Sequence, residues 1–264
     1  MNEIGKALHE LNTIDAMAKE DKWLNQIHPL VKLILTIFYI TVTVSIPKYD
    51  MQRTLSMLLY PLVVFVIGEI PVKESLYRLR VVLPLVCIVG VLNPFFDHTP
   101  ITKLGNLIIT GGIISVLTLM MKGVLTVLAS YLLIATTSVE KICYALQLLH
   151  LPKIFVVQIL LIFRYITVLL REAKRVMNAY MLRAPGQKGI AFEAWGPLLG
   201  QMLLRSMDRA EVLYQSMCVR GFQGEFHLEK QGFHMKDACY FLFFAVAILL
   251  LRIFPVFYMV GSLL

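Results

Sequence analysis

Several things are scarce in this chain, and each scarcity excludes something. Only 16% of the residues are Asp, Glu, Lys or Arg, against about 25% in soluble globular domains. Cysteine is limited to Cys87, Cys143, Cys218 and Cys239, far apart and without a C-x-x-C pair. That spacing argues against both a disulfide framework and a cysteine metal site. No Gly-x-x-x-x-Gly-Lys-Ser/Thr stretch occurs, so the loop that cradles nucleotide phosphates is missing. "GQKG" (Gly186–Gly189) has the glycines and the lysine but the wrong spacing, and no strand precedes it. The acids Glu69, Asp97, Glu140 and Glu172 are dispersed rather than paired, which counts against a membrane enzyme using acid–base chemistry. The first 29 residues carry no apolar core ahead of a cleavage site. No signal peptide is expected there, and the first apolar stretch is expected to act as an uncleaved anchor.

What is present is apolar. Hydrophobic residues make up 58% of the 264 and the mean hydropathy is +0.73, which marks an integral membrane protein. A hydrocarbon core of about 30 Å needs about 20 apolar helical residues. Expected spans are Leu30–Ile46, Leu55–Ile70, Val81–Phe96, Leu107–Thr136 and Ala238–Met259. The fourth is long and contains Gly111, Gly112, Lys122 and Gly123, so a bend or break near Met121–Gly123 is expected. The expected fold is all-α, with about five transmembrane helices and a cytoplasmic domain of long amphipathic crossed helices.

Charge orients this arrangement. The loop Pro71–Arg80 carries Lys73, Arg78 and Arg80 against Glu74, and is placed inside. The loop Asp97–Asn106 has only Lys103 against Asp97, and is placed outside. Residues 139–235 hold 12 Lys/Arg and 7 Asp/Glu, a basic excess that fits the cytoplasmic face. The expected organisation is a cytoplasmic N-terminal segment (1–29), a membrane domain (30–138), a cytoplasmic coupling domain (139–235) and a C-terminal transmembrane helix (236–264). The apolar run Ile154–Leu170 is interrupted by Arg164, and reads as a helix lying against the membrane face or buried beneath the spans. The basic residues are scattered among acids without an aromatic-interleaved groove, so no nucleic-acid partner is expected.

The polar segment is the informative part. Ile162, Ile166, Leu169, Ala173, Val176 and Tyr180 recur at the period of one helix face. This helix is expected to stop at Ala184–Pro185–Gly186. A second helix is expected to open near Gly196–Pro197, with the seam Leu199, Leu203, Ser206, Ala210, Leu213 and Met217, and to stop at Gly221. Ala173 on the first seam and the small pair Ser206 and Ala210 on the second allow the helices to cross closely. Each helix ends in an arginine, Arg183 or Arg220. One arginine at a helix C-terminus is accounted for by the dipole, worth roughly 0.3–1 kcal/mol. Two in tandem, flanked by Ala184, Gly186 and Gly221, point to docking, because a guanidinium is a planar fork suited to carboxylates.

Metal sites are weaker readings. Glu225, His227, Glu229 and His234 share one polar loop that reads as a solvated linker. His28, ahead of Pro29, reads as a capping or interface residue. No bound metal or cofactor is expected.

The segment "LLRSMDRAEVLYQSMCVRGFQGEF" (Leu203–Phe226) resembles the cobalt-type transmembrane T component of energy-coupling factor (ECF) transporters, the CbiQ family. "IDAMAKEDKWLNQIHPLVKL" (Ile14–Leu33), "VLNPFFDH" (Val91–His98), "LLIATTSVEKICYALQLLHLP" (Leu132–Pro152) and "LIFRYITVLLREAKRVMNAYMLRA" (Leu161–Ala184) match in the same order, so the resemblance covers nearly the whole chain. The family's two Ala-Arg-Gly motifs stand here as Leu182-Arg183-Ala184 and Val219-Arg220-Gly221. Both arginines are kept, and the first motif lacks its glycine. The resemblance implies a non-catalytic scaffold that couples a cytoplasmic CbiO-like ATPase pair to a CbiM-like capture subunit, with a small CbiN-like subunit. ATP is bound by the partner ATPase. Relatives dedicated to nickel or to vitamins are alternatives within the family.

Two other classes compete, a conventional permease subunit and a membrane enzyme or receptor, the second opposed by the dispersed acids. A conventional permease subunit carries a Glu-Ala-Ala loop with a later glycine. "EAWGPLLG" (Glu193–Gly200) approaches it, but Trp195 replaces the second alanine and Gly200 falls one position late. Lys122 and Arg252, inside apolar stretches, are functional candidates by default, with Lys122 read as marking the bend of the fourth span.

Overall fold

A computed structural model describes residues 3–20, 22–70, 84, 88, 100–104, 107–187, 189–226 and 231–253. Most of the expected third span, the loop Pro71–Arg80, the loop Asp97–Asn106 apart from Pro100–Leu104, Cys87, His98, His227, Glu229 and the end of the last expected span lie outside the described residues.

The chain forms two compact units, Met1–Ala16 with Val139–Lys230, and Met17–Ser138 with Gln231–Leu264. The second contains α2 (Trp23–Gln26), α3 (Pro29–Val44), α4 (Met51–Ser56), α5 (Leu59–Gly68), an antiparallel hairpin of β1 (Pro100–Leu104) and β2 (Leu107–Thr110), α6 (Gly111–Thr136) and α10 (Met235–Ile253). The first holds α7 (Val139–Leu148), α8 (Lys153–Arg183) and α9 (Phe192–Val219). The remaining helix, α1 (Glu3–Lys19), starts in the first unit and ends in the second. The architecture is helical, as the composition implies.

In the second unit α3 packs between α6 and α10, and α4 and α5 close against α6. The core is aliphatic around Leu35, Leu125 and Ile248 and aromatic at its centre. There Tyr39 stacks on Tyr60 at 4.5 Å, Tyr60 meets Phe244 edge-on at 5.6 Å, and Phe244 touches Tyr240 at 4.6 Å. The Tyr39 hydroxyl donates to the Met57 carbonyl at 2.9 Å, which satisfies a polar atom that would otherwise be buried alone.

Among the described residues, three helical stretches have the length and apolarity to cross a membrane: Met51–Gly68, Ile114–Thr136 and Lys153–Arg183. Pro29–Val44 is shorter. Three details differ from the expectation. The fourth span is not helical from Leu107, because Leu107–Thr110 pair as β2 and the helix starts at Gly111. Nor is there a break at Met121–Gly123, since α6 runs through it. Lys122 instead donates its ammonium to the carbonyls of Val44 and Ile46 at the end of α3. Lys32 of α3 in turn donates to the Thr136 carbonyl at 2.9 Å at the end of α6. The two helices are antiparallel, and each supplies a cation to the other's unsatisfied C-terminal carbonyls. Finally, Ile154–Leu170 is not a separate element. It is the apolar first half of α8, whose 31 residues extend about 46 Å at 1.5 Å per residue.

Arg252 also has a partner, the Ser45 hydroxyl at 3.1 Å. Both cations inside apolar stretches therefore reach the same end of α3. His28 accepts from the Leu30 N–H through Nδ1 at 3.3 Å, the capping role that its place before Pro29 implies.

Candidate functional site

The two arginine tips belong to one unit. α8 ends at Arg183, with Ala184 as its cap and the Ala184 N–H bonded to the Tyr180 carbonyl at 3.0 Å. Proline cannot continue the helix, and the chain turns at Gly186, whose φ of +94° suits glycine. Tyr180 holds this turn in place. Its hydroxyl donates to Gln187 Oε1 at 2.8 Å and accepts from the Ala191 N–H at 3.3 Å.

The second tip closes differently. Arg220 caps α9, Gly221 sits at φ +80°, the Gly221 N–H bonds to the Cys218 carbonyl, and the Phe222 N–H bonds to the Met217 carbonyl. This pair of bonds is the Schellman ending, which calls for a left-handed residue just past the cap. Glycine is therefore needed at 221, whereas Pro185 ends the first helix without one at position 184. That is the physical reason why the first motif tolerates alanine.

The two tips share a second feature. The residue before each arginine is a large aliphatic held out in solvent, Leu182 at 83% and Val219 at 89% relative exposure. Both arginines are exposed. Each tip thus presents a cation beside an apolar side chain, a combination that fits a partner groove with apolar walls and a carboxylate.

A cleft of about 510 Å³ opens beside the second tip, lined among others by Arg164, Tyr165, Arg220, Phe222 and Glu225. Glu225 is ion-paired with Lys153.

α8 and α9 pack against each other. Their polar link is Glu172, almost fully buried, which accepts from Arg205 at 2.7 Å and lies 3.4 Å from Arg175. Ala173 and Ser206, the next residue on each helix, are half-buried, whereas Ala210 is exposed. The sequence reading missed the Glu172–Arg205 pair, although opposite charges immediately before two small seam residues were there to be seen. α9 also begins earlier than expected, at Phe192, and carries Pro197 inside its second turn. Its less exposed positions in that first half are Ala194, Leu198 and Met202, while Leu199 and Leu203 face solvent.

Glu172 lies beyond the apolar half of α8. The Arg205 hydrogen bond holds its carboxyl below the usual carboxylate range, burial opposes this, and Arg175 and Arg209 add to the lowering. A depressed carboxylate contributes stability that is complete above its unfolded value, about 4.3, and is lost as pH falls through the folded one. Glu172→Gln is therefore expected to lower the melting temperature by the same margin at pH 7 and pH 6. That margin should close only in acid below that unfolded value, as pH falls through the lowered folded one and wild type loses its carboxylate as well. A margin independent of pH down to the acid limit would contradict the pairing.

Cys143 is buried, and burial pushes its thiol up to about 11, which leaves it protonated and inert. Among the described residues no group of three His, Cys, Asp or Glu side chains is placed to hold a metal ion.

Comparison with known proteins gives three matches. The model of the CbiQ family, described as cobalt transport protein, matches residues 20–231. An uncharacterized protein of Methanocaldococcus jannaschii is 26% identical over 205 residues, covering 73% of this chain and 70% of that protein. A fused cobalt transport protein, CbiMQ, of Methanocorpusculum labreanum is 28% identical over 120 residues, covering 44% of this chain and 20% of that protein.

Proposed function

The chain belongs to the CbiQ family of cobalt transport proteins, and from that premise we propose that it is the transmembrane coupling subunit of an ATP-driven ECF-type importer, with cobalt as cargo. It is a membrane component of a transporter. In this reading Arg183 and Arg220 dock into acidic grooves of a cytoplasmic ATPase dimer, and the crossed pair α8 and α9 carries the ATPase closure to a substrate-capture membrane subunit. The observation that carries the reading is the repeated tip, an exposed aliphatic followed by an exposed arginine at the ends of two successive helices of one unit.

The capture partner is a CbiM-like subunit, supported by the fused arrangement named in the relative from Methanocorpusculum labreanum. A small CbiN-like subunit completes the assembly. The chain crosses the membrane several times, with its N-terminus and 139–235 in the cytoplasm. ATP is bound and hydrolysed by the partner. The cation reaches the cell through the capture subunit, so this chain holds no resident metal.

Uptake of labelled cobalt in cells deleted for this chain, with and without a plasmid copy, tests the reading. Restored cobalt uptake that excess nickel does not suppress supports it. Restoration of nickel uptake alone would reassign the cargo, and no restoration of either would remove the transport role.

A further inference from the structure

The chain passes between its two units three times, at Ala16/Met17, Ser138/Val139 and Lys230/Gln231. On the side of the unit that contains α3, each passage is tied by hydrogen bonds to one short segment, Asn25–Lys32, which leads into α3. Asn25 Nδ2 donates to the Met17 carbonyl at 3.0 Å and the Glu20 carbonyl at 2.8 Å, in and just after the last turn of α1. Lys32 Nζ donates to the Thr136 carbonyl at 2.9 Å and to Thr137 Oγ1 at 3.3 Å. The His28 N–H donates to Asp237 Oδ1 at 2.9 Å, and the His234 N–H donates to Asp237 Oδ2 at 2.8 Å. Asp237 thereby reaches back to the start of α10 in the manner of a capping box while also holding His28.

These anchors are not ordinary surface contacts. Asn25, His28, Lys32, Thr136, Thr137, Ser138 and Asp237 are all buried, at 1–5% relative exposure. Burying an ammonium and a carboxylate is costly unless each is well partnered. Apolar packing would hold these passages in proximity without fixing which atoms meet, because it is non-directional. Hydrogen bonds to named carbonyls and N–H groups fix register. A buried polar network that is fully satisfied rigidifies its surroundings, and here it does so next to every point at which force can enter along the chain.

We propose that Asn25–Lys32 is the mechanical hub of the chain, with Lys32 and Asp237 as positioning residues that convert movement of the coupling unit into movement of α3, α6 and α10. The proposal rests on the coupling role above. It assigns these residues to transmission and not to ATPase docking, so their loss separates ATP hydrolysis from transport.

The test uses the full complex of this chain with its ATPase and capture subunits in proteoliposomes. ATPase turnover and cobalt uptake are read from the same preparation. Lys32→Met and Asp237→Asn are expected to assemble and hydrolyse ATP near the wild-type rate. Their cobalt uptake per ATP should fall about tenfold, the scale of a coupling free energy between two sites. Lys32→Arg, which keeps the donors, is expected to recover most of the loss. Thr137→Val removes one partner of Lys32 with little change of shape. It should lower uptake per ATP without loss of assembly, and it carries the test if the charged-site variants do not assemble. Unchanged uptake per ATP in these variants, or in Thr137→Val alone, would overturn the hub, as would ATPase and uptake of Thr137→Val falling together in proportion to assembled complex. Failure of the wild-type chain to assemble with an ATPase would instead remove the coupling role itself, and the hub with it.

Discussion

The double reversal Arg183→Glu and Arg220→Glu is expected to abolish recovery of the ATPase with this chain and to abolish uptake, while either single reversal should weaken both. The size of the effect follows from what a reversal does at an acidic groove. Removing a guanidinium from a hydrogen-bonded charge pair at an interface typically costs about 2–5 kcal/mol, because the partner charge is left buried and unpaired. Putting a carboxylate in its place adds repulsion between like charges. Two such losses exceed the span between a stable complex and one lost on dilution, since every 1.4 kcal/mol or so is a factor of ten in affinity. Neither arginine holds the fold together: both are exposed and sit at helix ends. The double variant should therefore keep the wild-type melting temperature. Full ATPase recovery and uptake in a folded double variant would end the docking reading.

Tyr39→Ala is expected to have the largest effect on stability. Tyr39 is fully buried, stacks on Tyr60 at 4.5 Å and donates to the Met57 carbonyl. Truncating a buried aromatic to alanine costs about 3–5 kcal/mol, from lost transfer energy and the cavity left behind. Tyr39→Phe keeps the ring and loses only the hydrogen bond, so its cost should be nearer 1 kcal/mol. Melting of the purified chain in one detergent compares the two. Equal costs for alanine and phenylalanine would show that the aromatic stack between α3 and α5 is not what holds the unit.

The two arginine-tipped helix ends were legible in the sequence because the signals that end a helix are local. Proline, glycine and a terminal arginine lie within a few residues of one another, and both helices stop where those residues place the stop. The hub was not legible. Lys32 meets a carbonyl 104 residues away, and Asp237 meets an N–H 209 residues away. A backbone carbonyl has no side-chain signature to announce it as a partner. The partners of Lys122 were hidden for the same reason. An intramembrane lysine beside a glycine looks like the mark of a bend, yet its partners are the last carbonyls of α3. The seam of α9 shifted because the helix starts at Phe192, four residues ahead of the expected glycine and proline, and its first half turns Ala194, Leu198 and Met202 inward instead. Among the charged residues, Glu172 looked like one more dispersed acid. Only the packing of α8 on α9 brings Arg205 to it.

The central claim is that this chain joins an ATPase to a capture subunit. Its most direct test is to tag the chain, express it with its chromosomal neighbours, extract it in mild detergent and identify what is recovered with it. The account predicts an ATPase dimer and a small multi-span membrane protein in fixed proportion to the tagged chain, with the ATPase lost from the Arg183→Glu, Arg220→Glu form. Recovery of the tagged chain alone, from cells in which the ATPase is expressed, would contradict it.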